Sequence, residues 1–319
     1  MRLLEHFSEV WGNNKRPFLI YKNRKIHFQD IQKINCDCES FKKIGKGDVV
    51  ALIGDYDPLS ITHLLKLIDL KAIIVPLTNA TVGQHNYFFE VACVDFVLQN
   101  GVLSERIHSN KNCTIEKFRK LNHAGLIAFS SGTTSKPKGI LHDFTIFLKK
   151  FEKPRKSLKT INFLLFDHVG GLNTLFYSLF NKGTSIIPGT RKVESVIEAC
   201  KEYEVELLPT TPTFLRMLLM SGYVPRRIPQ TLKIITYGTE LMDELTLEMI
   251  SELLPKVDFR QTYGVSELGV MSIKQEDKKS LFFKIGGEGV ETRIRDNILQ
   301  IKSETRMVGY LNSEPPFIE

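Results

Sequence analysis

The chain of 319 residues predicts an α/β fold, with stacked, largely parallel sheets, flanking helices and a small antiparallel β element near the C-terminus. Three observations carry that expectation. Short apolar runs recur at DVVALIG (48–54), KAIIVPL (71–77), DFVLQ (95–99), GLIAFS (125–130), INFLLF (161–166), TSIIP (184–188), VELLP (205–209) and KIITYG (233–238), each of strand length. Between many of them lie stretches with apolar residues three and four apart, such as SITHLLKLIDLK, GGLNTLFYSLFNKG, VESVIEACKEYE, TPTFLRMLLMSG and DELTLEMISELL. Strand alternating with helix in this way builds parallel sheets whose ligands sit at the carboxyl ends of the strands. The third observation is the change of character in GVETRIRDNILQIKSETRMVGYLN (289–312), where short strands flank an Asp-Asn turn.

Composition narrows the class. An apolar content of 42% with 25% charged residues is that of a globular chain rather than a disordered one. The formal charge of +7 raises nucleic acid as a partner, and LKKFEKPRKSLK (148–159) is its densest basic cluster. That cluster interleaves only Phe151 among its charges, so it reads as a solvated face and no nucleic-acid partner is expected. Five cysteines, Cys36, Cys38, Cys93, Cys113 and Cys200, form neither a C-x-x-C pair nor a disulfide framework. No membrane span and no secretory h-region are present in the sequence, which points to the cytoplasm.

SSGTTSKPKG (130–139) packs hydroxyls, glycines and two lysines between two apolar segments. As an isolated stretch it is an ordinary polar turn. Trapped between two core strands, its hydroxyls, backbone N–H groups and ammonium groups suit an anion instead. The G-x-x-x-x-G-K-[ST] pattern is absent, so this is not a Walker loop.

Together with QTYGVSELG (261–269), the loop resembles the acyl- and aryl-adenylate-forming superfamily, which holds acyl-CoA synthetases, luciferases and peptide-synthetase adenylation domains. IGKGDVVAL, FDHVGGL, LLPTTPTFLRMLL, TYGTELM and VGYLN resemble further landmarks in the family's order. The resemblance implies ATP-dependent activation of a carboxylic acid to acyl-AMP and pyrophosphate, then thioester formation with CoA or a carrier-protein phosphopantetheine. It implies an acid-thiol ligase using ATP and Mg2+, a small or medium carboxylic acid as substrate and an acyl carrier protein as a further partner. By resemblance, Ser130, Ser131, Gly132, Thr133, Thr134 and Lys138 hold the phosphates, with Thr134 and Lys138 catalytic. Gly238, Thr239 and Glu240 face adenine, Tyr263 stacks on it with Gly264 beside it, Ser266 meets the α-phosphate and Glu267 takes magnesium. Ser135 stands where the family usually has glycine.

On the acyl side, the resemblance of HVGGL to the ligase version assigns His168 a catalytic gating role. It also places His168, Gly171, Leu172 and Tyr237 in the substrate pocket, between the loop after INFLLF and the strand ending in KIITYG. Asp167 departs from this, since amino-acid-activating members carry an aspartate near here. An amino-acid-activating adenylation domain therefore stays open, as does a nucleotide- or acyl-binding module without turnover. The family's mobile C-terminal domain has no match, so residues 1–319 are expected to be the large N-terminal domain of a longer enzyme with little activity alone. Its α/β core would span about 1–285 and its small β element about 286–312.

Overall fold

The computed structural model describes residues 2–34, 41–108, 110–130, 136–275, 277, 280–287 and 289–314. Two seven-stranded sheets organise them. The first runs Asp258–Gln261, Ile234–Tyr237, Leu207–Thr210, Lys159–Ile161, Thr184–Ile186, Leu19–Tyr21 and Arg24–Ile26 across the sheet, parallel except for the final hairpin. The second runs Gly309–Tyr310, Gly139–Asp143, Gly125–Phe129, Ile73–Leu77, Val49–Ile53, Phe96–Gln99 and Val102–Glu105. Its four middle strands are parallel, and antiparallel neighbours close both edges.

Period-two alternation decides what each strand face touches. Val50, Leu52 and Ile74 join Leu19, Phe7, Leu64, Leu172 and Phe176 in one buried cluster, which places the helices Leu3–Trp11, Pro58–Asp69 and Val169–Phe180 between the sheets. Val49, Ala51, Ile73 and Val75 face the other way, onto Phe88 and Ile115. On the far side of the first sheet Ile161, Ile186, Leu208 and Ile235 meet Val196, Leu215 and Ile250 from the outer helices. Both faces of each sheet are thus covered, which explains the unbroken apolar runs of the parallel strands. Each fully buried Leu, Ile or Phe contributes about 1.5–3 kcal/mol.

Helix starts follow local chemistry. Asp57 accepts from the backbone N–H groups of Leu59 and Ser60 ahead of Pro58, and Thr211 accepts from Phe214 ahead of Pro212. These caps satisfy donors that a first turn leaves free.

Three sequence expectations need amendment. The run Ile161–Phe166 is not a strand throughout, since the ladder ends at Ile161. Phe163 and Phe166 are buried by ring contacts with Phe214 and Tyr56, at 4.7 and 5.4 Å between centroids. The Asp-Asn turn does join a hairpin, Val290–Arg295 with Ile298–Ser303, both turn residues having positive φ. Yet Gly309–Tyr310 leaves that small element and returns to the edge of the second large sheet. In the basic cluster most side chains are exposed, but Lys150 lies over the rings of Phe147 and Phe151.

Candidate functional site

The strand Gly125–Phe129 turns back on Gly139–Asp143 through the hydroxyl-rich loop. Two hydrogen bonds close its base: Ser130 N–H donates to the Lys138 carbonyl, and Lys138 N–H to Ser130 Oγ, both at 3.0 Å. Ser131, Gly132, Thr133, Thr134 and Ser135 lie outside the described residues. Lys138 is half-buried, and its Nζ stands 4.7 Å from the ring centre of Tyr310.

Ser266, Glu267 and Leu268 form the tip of a hairpin whose strands are Tyr263–Val265 and Gly269–Met271. Gly269 closes the turn at φ +73°, a conformation in which glycine carries no side-chain penalty. Three consecutive carbonyls anchor this tip. His142 Nε2 is 2.6 Å from the Ser266 carbonyl, Met307 N–H donates to Glu267 O at 2.7 Å, and Thr305 Oγ1 donates to Leu268 O at 3.1 Å. A carbonyl only accepts, so His142 carries its proton on Nε2, and burial lowers its pKa and keeps the ring neutral. The result is a Glu267 whose backbone is held on a fixed turn. Tyr310 Oη donates to Glu267 Oε1 at 2.6 Å, bringing three residues from distant parts of the chain together.

The remaining nucleotide-side candidates surround the end of the strand Ile234–Tyr237. Gly238 is buried, and a Cβ there would come within 2.2 Å of Thr262 Oγ1, so the residue permits a close backbone approach. Thr239 and Glu240 are exposed, Thr239 at φ +70°. Glu240 Oε2 accepts from Thr213 N–H at 3.0 Å. Tyr263 is half-buried with its ring 5.6 Å from that of Phe283, and a Cβ on Gly264 would meet the Gly269 carbonyl at 2.9 Å.

Of the acyl-side candidates, His168, Gly171 and Leu172 share the first turn of one helix, and Tyr237 lies in a different core. His168 is exposed and begins the helix Val169–Phe180, its carbonyl accepting from Gly171 and Leu172 at 3.1 and 3.2 Å. Gly171 is not open pocket wall: a Cβ would sit 2.1 Å from Tyr56 Oη and 2.2 Å from the Leu165 carbonyl. Leu172 and Tyr237 are each 1% exposed, the former in the inter-sheet core and the latter in the core under the outer helices. Two cavities of about 230 and 280 Å3 lie elsewhere, beside Cys93, His108 and Arg119 and beside Asp143, Glu304 and Met307. What does gather at the carboxyl ends of the first sheet is polarity. Thr210 Oγ1, Tyr237 Oη and Gln261 Oε1, on the last residues of three adjacent strands, are buried without a hydrogen-bond partner among the described residues. So is Asp167 Oδ1, whereas its Oδ2 accepts from Thr78 Oγ1 at 3.1 Å. Buried polar atoms of this kind call for a partner, and the carboxyl ends of parallel strands are where open α/β sheets bind ligands.

Tyr310 was not singled out by sequence reasoning. VGYLN carried only a resemblance, and the contact to Glu267 spans 43 positions. Among the described residues no group of three or more His, Cys, Asp or Glu side chains is gathered as a metal cage. A nucleotide-borne magnesium ion does not need one, because it keeps waters and phosphate oxygens and takes one or two carboxylates. Glu267 on its anchored turn fits that role. No helix of the described residues is long and apolar enough to cross a membrane.

Comparison with known proteins gives the family and the fold. The 2-succinylbenzoate–CoA ligase of Bacillus subtilis (strain 168) is 21% identical over 286 residues, covering 79% of this chain and 56% of that protein. The D-alanine–D-alanyl carrier protein ligase of Lactococcus lactis is 22% identical over 335 residues, covering 97% and 63%. The chain thus spans roughly half to two thirds of the length of these two curated relatives. Among solved structures, o-succinylbenzoate CoA synthetase from Bacillus subtilis bound with a product analogue superposes with a TM-score of 0.75 at 18% identity, over 98% of this chain and 71% of that one. The Klebsiella oxytoca NpsA N-terminal subdomain in complex with 3-hydroxyanthranilyl-AMSN superposes with a TM-score of 0.75 at 14% identity, over 97% and 88%. These likenesses confirm the fold, that of the N-terminal domain of adenylate-forming enzymes. A family model described as AMP-binding enzyme matches residues 43–305, a span that holds the hydroxyl-rich loop, the hairpin turn and most strands of both sheets, and the chain belongs to the AMP-binding enzyme family.

Proposed function

We propose that this chain binds ATP and a small or medium carboxylic acid and joins them as an acyl-adenylate with release of pyrophosphate, the acyl group then passing to the thiol of CoA or of a carrier protein. The observation that carries the reading is the meeting of Lys138, Tyr310 and Glu267 at the base of the hydroxyl-rich loop. Attack of a carboxylate on the α-phosphorus crowds negative oxygens together. A fixed ammonium, a ring of hydroxyl and backbone donors and a metal-binding carboxylate are the groups that spread such charge. When bound, magnesium would add its own positive charge to that set. In the proposed arrangement Thr134 and Lys138 bind the β- and γ-phosphates with Ser130, Ser131, Gly132 and Thr133. Ser266 meets the α-phosphate, Tyr263 and Gly238–Glu240 hold adenine, and His168 stands at the acid's entrance. The NpsA N-terminal subdomain, 88% of which this chain covers, is in keeping with the reading, since it is found in complex with 3-hydroxyanthranilyl-AMSN.

The nearest competitor is activation of an amino acid. One observation favours it: Asp167 Oδ1 is buried without a partner among the described residues, as an ammonium-binding carboxylate would be before its substrate arrives. The D-alanine-activating relative is in keeping with it.

The decisive experiment is nucleotide binding followed by melting temperature. ATP with Mg2+ is expected to raise Tm, because a ligand selective for the folded state stabilises it by RT ln(1 + [L]/Kd). Thr134→Val combined with Lys138→Ala is expected to abolish the rise. A double variant that responds like the parent would show that the loop is not the phosphate site.

A further inference from the structure

We propose that Tyr310 is a positioning residue that holds Lys138 and Glu267 ready for one magnesium–nucleotide while keeping the two charges off each other; the inference rests on the adenylate-forming reading above. Its hydroxyl takes one oxygen of the carboxylate, Oε1, at 2.6 Å. Glu267 Oε2 has no hydrogen-bond or ion-pair partner among the described residues, so the bond to Tyr310 selects which oxygen faces the metal. The ring face lies 4.7 Å from Lys138 Nζ. A ring attracts an ammonium without cancelling its charge, in contrast to a carboxylate. Lys138 and Glu267 form no ion pair among the described residues, although both adjoin the same side chain. Take the tyrosine away, and nothing on its side of the site keeps them from pairing.

The backbone makes this placement firm. Tyr310 pairs with Ile140 and Gly309 with Leu141, while Val308 N–H donates to Leu141 O at 2.7 Å and Leu311 N–H to Gly139 O at 2.9 Å. Asn312 finishes the clamp. Its Oδ1 accepts from Gly139 N–H at 3.0 Å, and its Nδ2 donates to the Pro137 carbonyl at 3.1 Å and to Tyr87 Oη at 2.9 Å. The segment 308–312 therefore straps the lysine arm of the loop and presents Tyr310 from beneath it. Tyr310 is 8% exposed and packs in a cluster with Ile140 and Met307. A phenolic hydroxyl keeps its proton, and so donates, across the neutral range.

Tyr310→Phe and Tyr310→Leu separate the two roles, with ATP binding read by calorimetry in EDTA and across a Mg2+ titration. The phenylalanine variant keeps the ring under Lys138 and loses only the hydroxyl. It is expected to bind ATP in EDTA as the parent does, and to need about 10-fold more Mg2+ for half-maximal enhancement, the lower end of what losing a partner behind a metal ligand costs. The leucine variant is expected to weaken binding in EDTA as well, because Lys138 is then free to pair with Glu267. A purely structural tyrosine would lower the unliganded Tm and leave the phenylalanine variant's Mg2+ midpoint at the parental value; that result overturns the inference and leaves the adenylate-forming reading standing. A parent that binds no ATP with or without Mg2+ overturns both.

Discussion

Lys150 sets its ammonium 4.3 Å from the ring centre of Phe147 and 5.0 Å from that of Phe151, with no ion-pair partner among the described residues. Burial, reinforced by the positive charge of Arg155, lowers its pKa to about 7. The two rings offset part of the cost of the charge but do not replace its water. The pH dependence has a definite sign. Between about 7 and the ordinary lysine value the unfolded chain binds a proton that the folded chain has released, so stability rises with pH across that window. Below about 7 both states are charged and the penalty is complete. Lys150→Met is therefore expected to raise Tm at pH 6–7, with its advantage over the parent shrinking steadily toward pH 10. An advantage that does not change with pH would show that the lysine is solvated. The sequence read this stretch as a solvated face, correctly for most of its charges. It missed Lys150 because burial there comes from Phe147 and Phe151 on the preceding helix and its exit, which no charge count reveals.

Among the elements, the helix Glu244–Leu253 begins just after Gly238–Glu240, with Leu241, Met242 and Asp243 between, so its start helps to set the turn proposed for adenine. Asp243 caps it: Oδ1 accepts from Thr246 N–H and Oδ2 from Thr246 Oγ1, both at 2.8 Å, and Oδ2 also takes Arg216 at 2.9 Å. These bonds, led by the backbone one, lower its pKa to about 2. Asp243→Ala is expected to cost about 1 kcal/mol in urea denaturation at pH 7, and Asp243→Asn to recover most of it, because asparagine caps nearly as well. Equal losses in the two variants would assign the effect to the Arg216 pair instead. Elements of this kind were legible because caps, prolines and periodicity act within a few residues of each other. The run Ile161–Phe166 was not, since its later residues are buried by rings from elsewhere in the chain rather than by a sheet. The strand Gly309–Tyr310 escaped for the same reason: its partner lies at Ile140–Leu141, and only the closed fold brings them together. The loop and the turn could be found as local patterns. The tyrosine that joins them could not.

At the scale of the whole molecule, the two sheets share one core, so the strand Gly125–Phe129, which leads into the proposed phosphate loop, is held in one body with the first sheet. An acyl-adenylate would engage these two halves unequally. In the proposed arrangement its acyl group and adenosine would lie against Thr210, Tyr237, Gln261, Asp167 and the turn at Gly238–Glu240, while its single phosphate would reach toward Ser266. It has no β- or γ-phosphate for the loop to grip. A non-hydrolysable acyl-sulfamoyl adenosine is accordingly expected to raise Tm without Mg2+, and to do so in the Thr134→Val, Lys138→Ala variant that no longer responds to MgATP. At a hundredfold excess over Kd the stabilisation is about 2.7 kcal/mol, enough for a shift of several degrees. Comparison of an aromatic acyl group with a D-alanyl group then reads the substrate class. If Asp167 receives an ammonium, the D-alanyl compound stabilises more, and Asp167→Asn removes that preference while sparing the aromatic one. If the acid carries no amine, the order is reversed and Asp167→Asn leaves it unchanged. Should neither compound shift Tm, or should the shift vanish with the loop mutations, the polar carboxyl ends of the first sheet are not an adenylate site.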